Sequence, residues 1–236
     1  LHDLVERDQA FNADVSHELR TPLAVISGAT ELLLGQPDLP DRTRQRLLRI
    51  ARAARQSTDI TTALLHLVRA ERGSGGEATK QDVGEVVDQL IENYRPLIEG
   101  RPVELEGVHE TRLSVIVPEA VLAVVLGNLL GNALRYTHEG RVEMHVAAGL
   151  VRIVDTGPGI PDDELPHVFD RHFRGSGAGG KGSGLGLSIV KRLCDLYGWT
   201  IDFSNRSDRS GLVVEVAFYP DLDRVERDAD DPVGRV

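Results

Sequence analysis

Ser16-His17-Glu18-Leu19-Arg20-Thr21-Pro22 lies inside a long helical pattern near the start of the chain. Whether Pro22 ends a helix or sits within one decides the fold of the first third. Proline has no amide to give the carbonyl of Glu18, so a helix running through it should bend or loosen there. The apolar pattern resumes at Leu23, Ile26, Thr30 and Leu33, with no loop composition between. Residues 1–35 therefore read as one amphipathic helix, with Leu4, Phe11, Val15, Leu19, Ile26, Leu33 and neighbours recurring at three- and four-residue steps. On that helix His17 sits beside the carboxylate of Glu18, and Thr21, four residues on, shares its face. This makes His17 a candidate nucleophile with its own base. By itself, a helical histidine is more often a solvated or hydrogen-bonded residue than a nucleophile.

Working outward, Gln36-Pro37-Asp38-Leu39-Pro40-Asp41 is a turn by composition, and Asp41 could cap a second helix. That helix covers residues 42–72, with Leu47, Ile50, Ala54, Ile60, Leu64 and Leu67 along one side. Two long helices with a short connection make an antiparallel hairpin, which cannot enclose a core alone. Dimerisation into a four-helix bundle would bury both stripes, so a homodimer through residues 1–72 is expected. Packing of the hairpin on the rest of the chain is the competing arrangement. Gly73-Ser74-Gly75-Gly76 is the clearest linker, and residues 73–80 are assigned to it.

Beyond the linker the pattern is mixed. A helix is expected at about 82–99, strands at 103–105 and 113–117, and a helix over 119–136. Arg141 to Ala147 and Leu150 to Asp155 read as a hairpin. A helix covers about 184–197, with strands after it at 200–204 and 212–218. Helices and antiparallel strands interleave without regular βαβ units, which points to an α/β sandwich with helices on one face of a mixed sheet. Residues 81–220 form this second domain; residues 221–236 are charged, lack apolar periodicity and read as a disordered tail.

Composition narrows the function. The 236 residues carry a net charge of −10, which argues against nucleic-acid binding. One cysteine, Cys194, excludes an intramolecular disulfide framework and fits a reducing compartment. No apolar run reaches a membrane span, no signal peptide is visible, and the start without Met suggests a fragment. His138, His145, His167 and His172 are scattered, with no zinc-site spacing.

Several constellations carry chemistry. Asn128 and Asn132 are four apart on one helix, and Arg135 and Tyr136 extend their face. Amide oxygens can ligate a hard cation such as Mg2+, with waters and phosphate oxygens completing its shell. The arginine can reach phosphate and the tyrosine can pack on a ligand. Buried amides capping a neighbouring element are the plainer alternative. Asp155-Thr156-Gly157-Pro158-Gly159-Ile160 comes directly after a strand, where a carboxylate can accept from an adenine amino group and two glycines permit close backbone approach; a tight turn would look the same. Gly182-Ser183-Gly184-Leu185-Gly186-Leu187 opens a helix whose first amides would favour phosphate. Its evenly spaced glycines are neither a dinucleotide fingerprint nor a P-loop. Between the two glycine loops, Phe169 to Arg174 and the glycine-dense run to Lys181 read as a lid, with Arg174 and Lys181 available to the terminal phosphates, or as an ordinary surface loop.

Together these stretches resemble the catalytic core of a bacterial sensor histidine kinase of a two-component system, over roughly residues 1–220. His17 to Pro22 matches the family's H box, Asn128 to Thr137 (NLLGNALRYT) its N box, and Asp155 to Ile160 (DTGPGI) its first glycine box. Phe169 to Phe173 matches the F box and Gly182 to Leu187 (GSGLGL) the second glycine box, all in the family's order and spacing. The resemblance implies a HisKA-type hairpin and a Bergerat-type sandwich shared with Hsp90, gyrase and MutL ATPases. It implies phosphorylation of His17 on a ring nitrogen, with Glu18 as base and Thr21 positioning water when such kinases act as phosphatases. Asn132 would be the Mg2+ ligand, supported by Asn128, and Asp155 would hold the adenine of ATP. The partner implied is the receiver domain of a response regulator, and the parent implied is a membrane-anchored sensor with this part in the cytoplasm. A Bergerat ATPase of the Hsp90 or MutL type without phosphotransfer is the alternative.

Overall fold

The computed structural model describes residues 21–71, 78–170, 173, 186–208 and 210–218. The chain divides into two compact units, Leu1–Gly75 and Gly76–Val236. Among the described residues no helix is long and apolar enough to cross a membrane.

In the first unit, residues 21–34 are helical (α1), and Thr21 and Pro22 are part of that run. Amides of Gly35 and Gln36 turn back to Glu31 O and Leu33 O and close it. Helix α2, Asp41–Glu71, begins on the aspartate itself, so Asp41 lies in the first turn rather than ahead of it as the cap expected from sequence. Its charge still faces the positive end of the helix. Thr30, Leu47 and Ala54 are buried, whereas Val25, Leu32 and Ile50 remain 66%, 79% and 47% exposed in the single chain. The Thr30 hydroxyl is donated to helix carbonyls, at 3.1 Å in the case of Ser27 O.

The second unit holds β1 (Thr79–Asp82), α3 (Val83–Ile98), β2 (Val103–His109), β3 (Ser114–Val117), α4 (Glu119–Tyr136), β4 (Gly140–Ala147) and β5 (Leu150–Asp155). A short 3-10 turn at Leu165–His167, α5 (Gly186–Tyr197), β6 (Thr200–Asn205) and β7 (Leu212–Ala217) complete it. Strand β1 enters the stretch read from sequence as linker. Its residues TKQD carry no apolar signal, and it forms by pairing antiparallel with β3, Thr79 opposite Val117. Asp82 then caps α3, its carboxylate accepting from Gly84 N at 2.8 Å.

The main sheet has the order β2-β4-β5-β7-β6. Strand β2 runs parallel to β4, and the other pairs are antiparallel. Period-2 alternation buries Val142, Met144 and Val146 of β4, Val151 and Ile153 of β5, and Val214 and Val216 of β7. On the other face, Arg152 Nε donates to Glu215 Oε1 at 2.6 Å. Helix α4 packs between α3 and α5 and against the sheet, which is why it is apolar almost all round. Gly131 admits the Tyr94 ring from α3: a Cβ there would stand 3.0 Å from the Tyr94 hydroxyl, which donates to Gly127 O at 3.0 Å.

Candidate functional site

Asp155 is the last residue of β5 and keeps the parity of Val151 and Ile153, so the alternation that builds the core carries a carboxylate to its edge. It is only 5% exposed. Oδ1 accepts from Gly157 N at 2.8 Å and Leu212 N at 3.3 Å. Among the described residues Oδ2 accepts no hydrogen bond. Burial pushes the carboxyl above its ordinary range, partly opposed by these two amides and by the Arg206 guanidinium. A buried carboxylate with one oxygen committed and one spare fits a ligand that brings its own N–H donor, as an adenine amino group does.

The loop after Asp155 is held close. The Ser210 hydroxyl donates to Gly157 O at 2.6 Å. A Cβ on Gly157 would lie 3.0 Å from Asp155 Oδ1 and 3.3 Å from Tyr136 O, so loop and helix end approach to backbone distance. Gly159 adopts φ +74°, and a side chain there would meet Asn205 Oδ1 at 2.6 Å. Pro158, Ile160 and Pro161 line an open cleft of about 270 Å³ with Asn205, Arg206, Ser210 and Gly211; neither Asp155 nor Asn132 contributes to it.

Helix α4 presents Asn128, Asn132, Arg135 and Tyr136 as its half-buried stripe amid buried leucines and valines. The two amides differ. Asn128 Nδ2 donates to Val124 O at 2.8 Å, so half of its amide serves its own helix. Its Oδ1 faces the start of α5, where a Cβ on Gly186 would come within 2.7 Å. Asn132 makes no side-chain hydrogen bond among the described residues. Its amide oxygen is therefore available to a hard cation whose remaining ligands are phosphate and water, and the residues present fit Mg2+ in that limited sense. No group of three or more His, Cys, Asp or Glu among the described residues could hold a metal.

The F-box segment is anchored at its start. The Phe169 ring meets Phe203 of β6 edge-on at 5.2 Å between centroids, and His167 Nδ1 lies 3.0 Å from Asp170 Oδ2. Gly186 and Leu187 open α5. His17, Glu18, Arg174, Lys181, Gly182, Gly184 and Leu185 lie outside the described residues, as do 171–172 and 174–181 of the expected lid and the whole expected tail. Thr21 is exposed on α1.

Three positions escaped the sequence reading. Arg101 Nη2 donates to Leu134 O at 2.8 Å and to Thr137 O at 2.6 Å, closing the C-terminus of α4. Gly211, at φ +140°, lets the β6–β7 turn lie against Asp155 O, which a Cβ would meet at 2.1 Å. Asn205 grips the Asp155 loop. Local pattern signals none of these, because each partner is distant in sequence.

The family described as histidine kinase-, DNA gyrase B- and HSP90-like ATPase matches residues 118–223, and the His Kinase A (phospho-acceptor) domain matches residues 7–73. Sensor protein kinase PmrB of Pseudomonas aeruginosa is 32% identical over 247 residues, spanning 100% of this chain and 50% of PmrB. The solved mycobacterial sensor histidine kinase MprB is 31% identical at a TM-score of 0.52, covering 59% of this chain and 97% of that one. Full-length ShkA in complex with AMPPNP shares the fold at a TM-score of 0.57 and 24% identity, covering 89% of this chain and 46% of that one. The chain spans about half the length of the curated relatives it matches. A phospho-acceptor helical segment ahead of an ATPase-type sandwich, in one chain and in this order, places it in a single family: the chain belongs to the sensor histidine kinases of bacterial two-component systems.

Proposed function

We propose that this chain is an ATP-dependent protein-histidine kinase core that phosphorylates His17 and passes the phosphoryl group to an aspartate of a response-regulator receiver domain. The observation that carries the reading is the buried Asp155 carboxylate, with its spare oxygen at the edge of the core beside the α4 stripe. Asp155 would accept from the adenine amino group, while Gly157, Gly159 and Ile160 bring backbone against the base. Asn132 would hold Mg2+, which when bound supplies positive charge to the phosphates. Arg135 and Tyr136 on α4, the α5 opening at Gly186 and Leu187, and Gly182, Gly184 and Leu185 before it complete the nucleotide site, with Arg174 and Lys181 as lid cations. His17 presents a ring nitrogen lone pair to the γ-phosphorus; an N–P bond forms as the bond to the ADP oxygen breaks. Glu18 takes the proton from the other ring nitrogen, so catalysis is mostly positioning and charge neutralisation. Thr21 positions water for the reverse role as phosphatase.

The exposed Val25, Leu32 and Ile50 of the single chain support a homodimer through residues 1–72, in which these side chains would be covered. The test is autophosphorylation with γ-labelled ATP and Mg2+, beside His17→Gln. Acid-labile, alkali-stable label that vanishes in the variant supports the kinase. Phosphate release with no label on protein would instead mark an ATPase without phosphotransfer.

A further inference from the structure

We propose that Asn205, at the end of β6, is a positioning residue for nucleotide binding, holding the Asp155–Ile160 loop in its ligand-ready shape. The proposal rests on the reading of that loop as part of a nucleotide site.

One short turn straps the loop at three points. Leu212 N reaches Asp155 Oδ1, the Ser210 hydroxyl reaches Gly157 O, and Asn205 takes both backbone groups of Ile160. Ile160 N donates to Asn205 Oδ1 at 2.9 Å, and Asn205 Nδ2 donates to Ile160 O at 2.6 Å. The planar carboxamide thus stands in for one residue of a neighbouring strand, offering donor and acceptor side by side. The same Nδ2 also donates to Asp162 Oδ1 at 3.1 Å, just where the chain leaves the loop toward the F box. Asn205 commits its polar atoms to this loop, and Gly159 must lack a side chain to admit its Oδ1.

The side chain itself is exposed, so its bonds contribute little to global stability. Their local effect is larger. Ile160 is the far anchor of a segment carrying two glycines, and without that anchor Gly157 to Ile160 can leave the conformation that the base requires. Aspartate cannot replace asparagine, because it offers no donor to Ile160 O and would face the Asp162 carboxylate.

The test uses the full 236-residue chain. ADP binding is measured by calorimetry with and without Mg2+, ATP kinetics by labelling, and stability by Trp199 fluorescence. Asn205→Ala should weaken ADP about tenfold, equally with and without Mg2+, and raise the KM for ATP by the same factor. Labelling at saturating ATP should stay within about twofold of the parent, because the loop meets the base rather than the phosphates. Asn205→Asp should be no better than Asn205→Ala, and either variant should speed hydrogen exchange at the Ile160 amide. Parent-like ADP affinity in either variant overturns the proposal. So does weakened affinity accompanied by a large fall in the Trp199 unfolding midpoint, which would make Asn205 a folding residue only. A parent chain that binds no ADP overturns the nucleotide reading itself, a result the variants cannot imitate.

Discussion

Arg101 should hold the C-terminal end of α4 in place. It lies just past α3 at residue 101 and reaches across 33 and 36 positions to Leu134 O and Thr137 O, at 2.8 and 2.6 Å. These carbonyls end the helix that presents Asn132, Arg135 and Tyr136, at the negative pole of its dipole. In Arg101→Ala both carbonyls lose a cationic donor where water refills only part of the space. Two charge-assisted hydrogen bonds at a half-buried site are worth about 2–3 kcal/mol together, dipole included. Arg101→Lys keeps the charge but not the planar Nη2 with its two fixed N–H directions, and should recover about half of that loss. The readout is direct, because Trp199 is the chain's one tryptophan and packs edge-on against Phe218 at 4.8 Å within the second unit. Urea unfolding monitored by its fluorescence reports that unit alone, whatever the helical unit does. In a thermal melt followed by the same fluorescence, the Arg101→Ala loss should lower the midpoint temperature by roughly 5–10 °C. ADP affinity should fall with it as the helix end frays beside the Asp155 loop. Alanine and lysine variants both within about 0.5 kcal/mol of the parent would refute the reasoning.

The other predictions use the same fluorescence. The Thr137 hydroxyl is fully buried with no hydrogen-bond partner among the described residues, so Thr137→Val should stabilise the unit by about 1 kcal/mol; destabilisation would refute this. Gly211→Ala should cost about 3 kcal/mol or more, from backbone strain at φ +140° plus a 2.1 Å clash with Asp155 O, and should abolish ADP binding even where the protein stays folded. Burial raises the Asp155 pKa, so the folded state binds its proton more readily than the unfolded chain. Stability from this group is therefore greatest at low pH and falls as pH rises through the raised folded value. Asp155→Asn keeps an acceptor for Gly157 N and Leu212 N while removing the buried charge. It should be more stable than the parent at pH 7, lose that advantage below the ordinary aspartate range, and bind adenine nucleotides poorly at both.

Much of this architecture was open to sequence reading because helices and strands carry their period in neighbouring residues. Helix α4 was expected over 119–136 and spans Glu119–Tyr136. The β4–β5 hairpin was equally legible, its alternation unbroken from Val142 to Val146. Strand β1 was not, because Thr-Lys-Gln-Asp becomes a strand only through its partner β3. The parallel pairing of β2 with β4 was also hidden, since nothing local tells a strand which neighbour it will meet. At the site, Asn132 and Asp155 stood out as residue types set among glycines, whereas Arg101 and Asn205 looked like ordinary surface residues. Each acts across more than thirty positions, through a contact that exists only once the sheet is assembled.

That division has a physical basis that separates ligand groups from scaffold groups within one site. A side chain built to meet a ligand must keep hydrogen-bonding capacity uncommitted although it is partly or wholly buried, and that lowers stability. Asp155 commits Oδ1 to two amides and, among the described residues, leaves Oδ2 without one, while its carboxyl pKa is pushed upward by burial. Asn132 makes no side-chain bond among the described residues, whereas Asn128, one turn earlier, gives its amide to Val124 O. Asn205 commits both amide hydrogens and one acceptor position of Oδ1 to the loop. The uncommitted groups therefore read as ligand contacts and the committed ones as their supports. Mutating the two kinds should separate accordingly. On the proposed function, loss of Asp155 or Asn132 would remove an interaction with nucleotide or cation and relieve the fold, whereas loss of Arg101 would remove a fold contact and reach the nucleotide only through geometry. Asn205, committed yet exposed, falls between: its loss should cost affinity without cost to the fold.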